Sequence, residues 1–412
     1  MTMTPHSALH YDVIVVGGGP SGSTAAYLMA QSQARVLLID AQKSRIRKIC
    51  GEFLCHEGVE ILRSIGLASG VENHQFLPGE GAKIVTQAGT IISGSFPQEK
   101  KAQPGGYCLD RQQFDAMLME KAEDAGTELL LGERVKNLTR LHYGWLVETL
   151  SGQQFSCDLL VGADGLRSTV GRLLELSLPP RKKRVALRCF LPTRHTNQRR
   201  IEMHLLGNGN YIGIDVVGND FVNFSIVVDH QDLQHYESAE ALIRYHYEKY
   251  PILQENMILP DLFPKIDAIS PVSQRVKSCI TDNAVLIGDA GGFIEPLTGE
   301  GITISLWTAV AMAQKLIECR KAGQWEKRQQ ALKAYALYKA RHYREKMLFS
   351  SLLHWLIAQN TLCDALCKLV KNRPACIESF MGIINNTFSP VQGTLLLLRN
   401  LLGAERTPYN PV

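Results

Sequence analysis

Apolar residues gather first at Tyr11–Val16 (YDVIVV), a run that leads into glycines and is too short for a helix, which predicts a buried strand. The alanine-rich stretch from Ser21 to Gln31 predicts a helix, and Ala34–Asp40 (ARVLLID) a second buried strand ending in an acid. Strand, glycine turn, helix, strand is the order of a βαβ unit on a parallel sheet. From Asp110 to Gly126, Phe114, Met117, Leu118 and Ala122 share one helical face. Thr127–Leu131, Gly144–Glu148 and Cys157–Val161 read as strands. The middle of the chain changes character: Val185–Leu191, Ile201–Leu205, Tyr211–Val217 and Phe221–Val228 are short and separated by Gly, Asn and Asp turns. Such a meander predicts an antiparallel sheet. Ala284–Ile287 returns to the fully buried strand style, and from about Gly301 the pattern is helical, with breaks near Arg373–Pro374 and Ser389–Pro390.

Composition narrows this only a little. At 412 residues, 45% hydrophobic and 20% charged, the chain is globular and divides into two or three domains at about 150 residues each. Forty-four basic against 40 acidic residues leave a net charge of +4, which makes no case for nucleic acid as a partner. The basic run Arg181–Arg184 (RKKR) has no interleaved aromatics and is expected to be a solvated loop between domains. Ten scattered cysteines, with no leader pattern in Met1–Tyr11, point to reduced thiols in the cytoplasm. Cys363 and Cys367 lie one helical turn apart without a second Cys/His pair, so core packing is expected there and no metal site. No apolar run reaches the ~18 residues of a membrane-spanning helix.

The chemistry starts at Gly17-Gly18-Gly19-Pro20-Ser21-Gly22, a G-x-G-x-x-G between strand and helix. Gly17 allows the tight turn, Gly19 lets backbone approach a pyrophosphate, and Gly22 permits close helix–strand packing. The helix then offers free N–H groups and its positive end to the phosphates. Asp40, ending the next strand, stands where a carboxylate would accept a ribose hydroxyl. Two later segments share this style. Asp158–Arg172 (DLLVGADGLRSTVGR) ends a strand in a Gly-Ala-Asp-Gly turn, and Ala284–Ile302 (AVLIGDAGGFIEPLTGEGI) runs strand, Gly-Asp, Gly/Pro loop, helix start.

With these three motifs in this order over about residues 10–310, the chain resembles the FAD-dependent oxidoreductases that include aromatic hydroxylases, geranylgeranyl reductases and flavin-dependent halogenases. The resemblance implies an α/β fold: a Rossmann-like FAD-binding domain with an inserted antiparallel substrate sheet and a helical C-terminal region. It implies that Gly17, Gly19, Pro20, Ser21 and Gly22 face the pyrophosphate, Asp40 the adenosine ribose, and Arg111 (in LDRQQFD) the phosphates, a surface arginine at a helix start being the alternative for Arg111. Asp164 and Gly165 match the family's central DG turn. The family's Val-Arg after that motif is Val170-Gly171-Arg172 here, which leaves Arg172 without an assigned role. Gly288 and Asp289 match the GD motif, whose aspartate bonds the ribityl chain. Pro296, Gly299, Glu300, Gly301 and Ile302 would aim a helix N-terminus at the isoalloxazine, where negative charge gathers on reduction. Glu300 also fits a plain helix-capping acid.

Cys50-Gly51-Glu52-Phe53-Leu54-Cys55 has the spacing of a redox disulfide, but Gly207-Asn208-Gly209 leads into a strand and supplies no second dinucleotide fingerprint. Cys50-Gly51 is more similar to the cysteine–glycine pair that geranylgeranyl reductases place beside the flavin, so Cys50 is expected in the active-site wall and Cys55 in packing. The W-x-W-x-I-P signature of halogenases is missing from Asn210–Val217 (NYIGIDVV), which disfavours halogenation.

The family supplies FAD, with NADPH or NADH as electron donor. The favoured expectation is a monooxygenase that hydroxylates an apolar or aromatic small molecule with O2 through a flavin C4a-hydroperoxide. The alternative is a geranylgeranyl reductase-like enzyme saturating an isoprenoid double bond, and a non-enzymatic flavin-binding accessory protein comes third. Phe349–Lys371 and Thr394–Leu402 are apolar enough to cap a long substrate or touch a membrane surface, with ordinary core helix packing the favoured expectation. Motif positions divide the chain into a discontinuous FAD domain (10–80, 100–180, 272–310), a substrate sheet (81–99, 181–271) and a helical region (311–412).

Overall fold

The computed structural model describes residues 8–44, 48–73, 76–97, 104–181, 183–194, 199–218, 220–293, 297 and 299–403. The first apolar run forms strand Leu9–Val16, hydrogen-bonded in parallel to Val36–Asp40 on one side and Gln154–Gly162 on the other. Glu128–Leu131 and Ala284–Leu286 extend the parallel order at the two sides. Val13, Ile14, Val15, Leu38 and Leu160 are fully buried, because helices cover the sheet and leave no polar face. The fingerprint helix Pro20–Gln31 packs between Arg111–Asp124 and Gly301–Lys321. Pro20 fits the first helical turn, where a missing N–H removes no bond. Asp110 caps the second helix by accepting from the amides of Gln112 and Gln113. A hairpin of Val135–Arg140 and Trp145–Thr149 adds to the edge of Gln154–Gly162.

A second sheet of seven strands runs in the order Asp267–Ile269, Arg184–Pro192, Phe221–Asp229, Asn210–Val217, Arg200–Gly207, Gly81–Val85, Ile91–Ser95. It is antiparallel except where Arg200–Gly207 runs parallel to Gly81–Val85. Strand alternation divides its residues. Leu187, Cys189, Ile212, Ile214, Phe224 and Ile226 pack on Leu242 and Ile243 of helix Ala239–Lys249. The opposite face, with Ile84, Met203, Leu205, Tyr211 and Val227, turns toward the cavity described below. A small sheet of Phe53–Cys55, Gly106–Cys108 and Leu77–Pro78 lies between the two large ones in the chain order.

The C-terminal helices are Gly301–Lys321, Arg328–Ala358, Asn360–Val370, Pro374–Ile384 and Pro390–Leu401. The breaks at Pro374 and Pro390 are as the prolines predict. Two more occur: one at Gly323, whose φ of +65° is the left-handed ending that glycine favours, and one at Gln359, which carries no such signal. The RKKR run needs correction. Arg184 is buried, its Nη2 donating to the carbonyls of Gly209 and Val227, because it opens a strand instead of a loop. Arg181 and Lys183 are exposed, and Lys182 lies outside the described residues.

Candidate functional site

The three motifs meet in space. Gly17 has φ +104°, and a Cβ there would come within 2.4 Å of the Ala163 carbonyl oxygen, so the first turn touches the DG segment directly. A Cβ on Gly22 would sit 1.8 Å from the Gly17 oxygen, which only glycine avoids. Helix Pro20–Gln31 starts without a side-chain cap and so leaves amide donors for an anion. Asp40 accepts from the amides of Gly18 (2.5 Å) and Gln42 (2.7 Å), stiffening the turn it was expected to serve through a ribose. Gly288, at φ +56°, abuts Ser21, joining the GD segment to the same helix.

These segments line one end of a cavity of about 910 Å³ that includes Gly19, Pro20, Ser21, Arg111, Asp164, Gly165, Asp289, Gly299, Gly301 and Ile302. Asp289 Oδ1 is buried there with no hydrogen-bond partner among the described residues. Burial lifts its carboxyl to about 6, although the charges of Arg111 and Lys48 act in the opposite direction. An orphaned carboxyl oxygen beside an uncapped helix start fits the ribityl and pyrophosphate parts of FAD.

Not every expected residue is aimed at that end. Asp164 lines the cavity, yet its oxygens accept from Ser168 Oγ and the amides of Thr169 and Val170, so it also holds the short helix Thr169–Leu173. Arg172 is exposed. Arg111 is no surface residue. It is buried, pairs in a fork with Asp115 through Nε and Nη2, both at 2.9 Å, and lies beside Cys50. Burial weakens its charge, and Asp115 together with Cys50 more than restores it. Glu300 caps nothing through its side chain. It accepts from Asn386 and from Lys346 Nζ, and Lys346 also pairs with Glu57. Pro296 lies outside the described residues.

Cys50 lines the cavity, half-buried, and burial raises its thiol against the lowering influence of Arg111. Cys55 is a buried free thiol 3.0 Å from Thr303 Oγ1, and burial pushes it up to about 11.

Several groups escaped the sequence reading. Lys48 Nζ lies 3.1 Å from where a Gly19 Cβ would be, on the open side of the phosphate turn. Lys339, buried and lowered by burial, donates to the Gly291 carbonyl and pins the GD loop from the long helix. Asp215 is buried in the cavity wall. Its one available signal was an acid inside an otherwise apolar strand. Beyond these polar residues the cavity continues between the seven-stranded sheet and the C-terminal helices, bounded by Ile84, Ile92, Met203, Tyr211, Leu356, Ile357, Leu366, Val370 and Leu397. No helix among the described residues is long and apolar enough to cross a membrane.

Residues 10–336 match the model of the FAD binding domain family. That span is well over half of the chain, and the protein belongs to this family. It is 27% identical over 312 residues to digeranylgeranylglycerophospholipid reductase 1 of Methanococcoides burtonii, covering 71% of each chain. It is 29% identical over 321 residues to a menaquinone reductase of Mycolicibacterium smegmatis, covering 74% of this chain and 75% of the relative. Among solved structures, a flavoprotein/dehydrogenase from Cytophaga hutchinsonii superposes with a TM-score of 0.79 at 19% identity, over 96% of this chain and all of that one. The protein is an FAD-dependent oxidoreductase with a Rossmann-type FAD-binding fold.

Proposed function

We propose that this enzyme saturates carbon–carbon double bonds of an isoprenoid chain. The observation that carries the reading is the chemistry of the cavity lining. Beside the groups for a dinucleotide, the lining has an apolar part, the arm, that includes Leu356, Leu366, Val370 and Leu397. An arm lined mainly by apolar side chains favours a hydrocarbon over a compact ring bearing polar groups. The names of the reductase relatives agree with this choice.

Bound FAD, reduced by NADPH or NADH, supplies hydride. The chain's own part is to hold the cofactor, to exclude water and to place the double bond. Gly17, Gly19, Ser21 and Gly22 with Lys48 would hold the pyrophosphate, Asp289 the ribityl chain and Asp40 the adenosine ribose. Cys50 forms part of the wall against which the double bond lies. Leu366 and Leu369 line the arm and are also exposed, so the arm opens on the surface among further exposed apolar residues of the last helices. That face would rest on the membrane surface that holds such substrates.

The test is anaerobic. Enzyme reduced by NADPH and mixed with a geranylgeranyl lipid should return its flavin to the oxidised form and yield a product heavier by two hydrogens per double bond. A product that instead carries one oxygen-18 atom from labelled O2, with no reoxidation of flavin by the lipid under argon, would establish hydroxylation in its place.

A further inference from the structure

Adding hydrogen across a double bond requires a proton as well as a hydride, and one group in the cavity is built for the proton. Asp215 lies on strand Asn210–Val217, on the same face as Tyr211 and Gly213, and all three line the cavity. It is 7% exposed, and its Oδ1 has no hydrogen-bond partner among the described residues. Its Oδ2 lies 3.2 Å from where a Cβ on Gly51 would stand, so the carboxyl approaches the Cys50–Gly51 backbone closely because residue 51 has no side chain. Both residues belong to the same cavity wall.

We propose that Asp215 is the proton donor of this reaction, which rests on the isoprenoid-reductase reading above. The double bond gains hydride, with its electron pair, on one carbon. Its π pair takes the proton of the Asp215 carboxyl on the neighbouring carbon. The flavin is thereby oxidised by two electrons, the alkene is reduced by two, and Asp215 is left as a carboxylate that solvent reprotonates. For a trisubstituted isoprenoid bond the proton goes to the less substituted carbon, because positive charge develops better on the other.

The surroundings favour the neutral acid. Burial raises the Asp215 carboxyl well above its ordinary range, and the nearby Glu52 raises it further. Glu52 is fully buried, with Asn223 Nδ2 at 3.4 Å and the Arg188 guanidinium at 3.9 Å. Arg188 gives its strongest contact to Asp267, at 2.6 Å, on the edge strand. Cys108 and Cys50 are both raised by burial and add no cation. Lys48 donates no bond to Asp215 among the described residues, and its influence falls on Asp289. A carboxyl kept protonated by an apolar site can donate where an ionised one cannot.

The experiment uses full-length holoenzyme and Asp215→Asn. Infrared spectra at pH 7 should show a protonated-carboxyl band that the substitution removes. In single turnover, reduced Asp215→Asn should transfer hydrogen to the geranylgeranyl lipid at least about 100-fold more slowly. Its reduction by NADPH, FAD content and melting temperature should stay close to wild type. The wild-type rate should fall as pH rises through the acid's own pKa, and that limb should vanish in the variant. A variant within about threefold of wild type overturns the proposal, as does a limb lost in Cys50→Ala but kept in Asp215→Asn. A wild-type enzyme that shows the band yet reduces no isoprenoid overturns the function reading and the donor role together, while leaving the protonated carboxyl established.

Discussion

A carboxyl oxygen that is buried without a donor costs free energy until a donor reaches it, and Asp289 Oδ1 is such an atom. If a ribityl hydroxyl is that donor, Asp289→Asn should weaken FAD binding about 10- to 100-fold. That is the factor set by losing a hydrogen bond to a charged group of about 1.5–3 kcal/mol. Reconstitution followed by flavin fluorescence measures it. The pH dependence has a definite sign. The carboxyl titrates at about 6 and accepts best when ionised, so cofactor binding on the acid side must release its proton. The dissociation constant should therefore rise as pH falls below about 6, by at most about tenfold per unit, and stay flat in the asparagine variant. Unfolding does not mimic this. A carboxyl raised in the folded state favours folding below its unfolded pKa, and that contribution is lost as pH rises through about 6. Circular dichroism should thus remain native while flavin is released in mild acid. The glycines of the first turn were legible in the sequence because their reason is local backbone geometry. The fork between Arg111 and Asp115 was legible in principle at i,i+4 spacing, but its burial depended on packing among other helices.

The strands and helices show where sequence reading ends. Runs such as Tyr11–Val16 and Phe221–Val228 specify strands because burial on one or both faces decides them, and the structure places strands there. Strand partners and faces depend on register, which is set across residues far apart in the chain. The parallel pairing of Arg200–Gly207 with Gly81–Val85 and the cavity-facing position of Asp215 both follow from it. Gly213 has the same origin. On the cavity face, between Met203 and Ser225 in register, an added Cβ would meet nothing within 4 Å. Gly213→Phe should therefore leave the melting temperature within a few degrees of wild type while shortening the longest isoprenoid turned over, as read by mass spectrometry of the products. Normal turnover of the longest chain by this variant would mean that the arm does not hold the substrate. The helices carry their own test at Lys346, whose ammonium lies between Glu57 and Glu300 with little exposure. Lys346→Met removes the ammonium the two acids share, leaving Glu57 with His342 and Glu300 with Asn386, and should cost about 3 kcal/mol, the low end for breaking a buried ion pair. Urea unfolding reads that loss, and the variant's long helix should become more open to protease. For Glu57, burial opposes ionisation, yet His342 and Lys346 hold its carboxyl below the ordinary value. The wild-type clamp is thus intact above the unfolded pKa of Glu57 and weakens as pH falls through the lower folded one.

At the scale of the whole molecule, the segments near Gly17, Asp164 and Asp289 meet at the cavity, although about two thirds of the chain separates the first from the last. Division into an interleaved FAD unit, a substrate sheet and a helical region is our reading of that arrangement. It gives the helices two roles: closing the apolar arm and presenting its mouth. Along Arg328–Ala358, Leu348, Leu352 and Trp355 are exposed. Leu362, Leu366 and Leu369 follow on the next helix, and Val391, Leu395 and Leu398 on the last, where Leu395 is 61% exposed. A soluble chain rarely shows so many large apolar residues on neighbouring elements without a partner. Lys371, Arg373 and Arg399 are exposed on the same helical region, which favours an anionic lipid surface. The protein should sediment with phosphatidylglycerol vesicles and less with phosphatidylcholine, because each basic residue near an anionic surface contributes about 1 kcal/mol. Trp355 emission should shift to the blue on binding, and Trp355→Phe should abolish the shift while keeping the sedimentation. Leu352→Asp with Leu395→Asp should reduce the bound fraction at least tenfold and slow turnover of vesicle-borne lipid, yet leave turnover of a short, detergent-soluble isoprenoid near wild type. Equal losses on both substrates would place the defect in the cavity, and free protein in the presence of excess anionic vesicles would remove the membrane from the account.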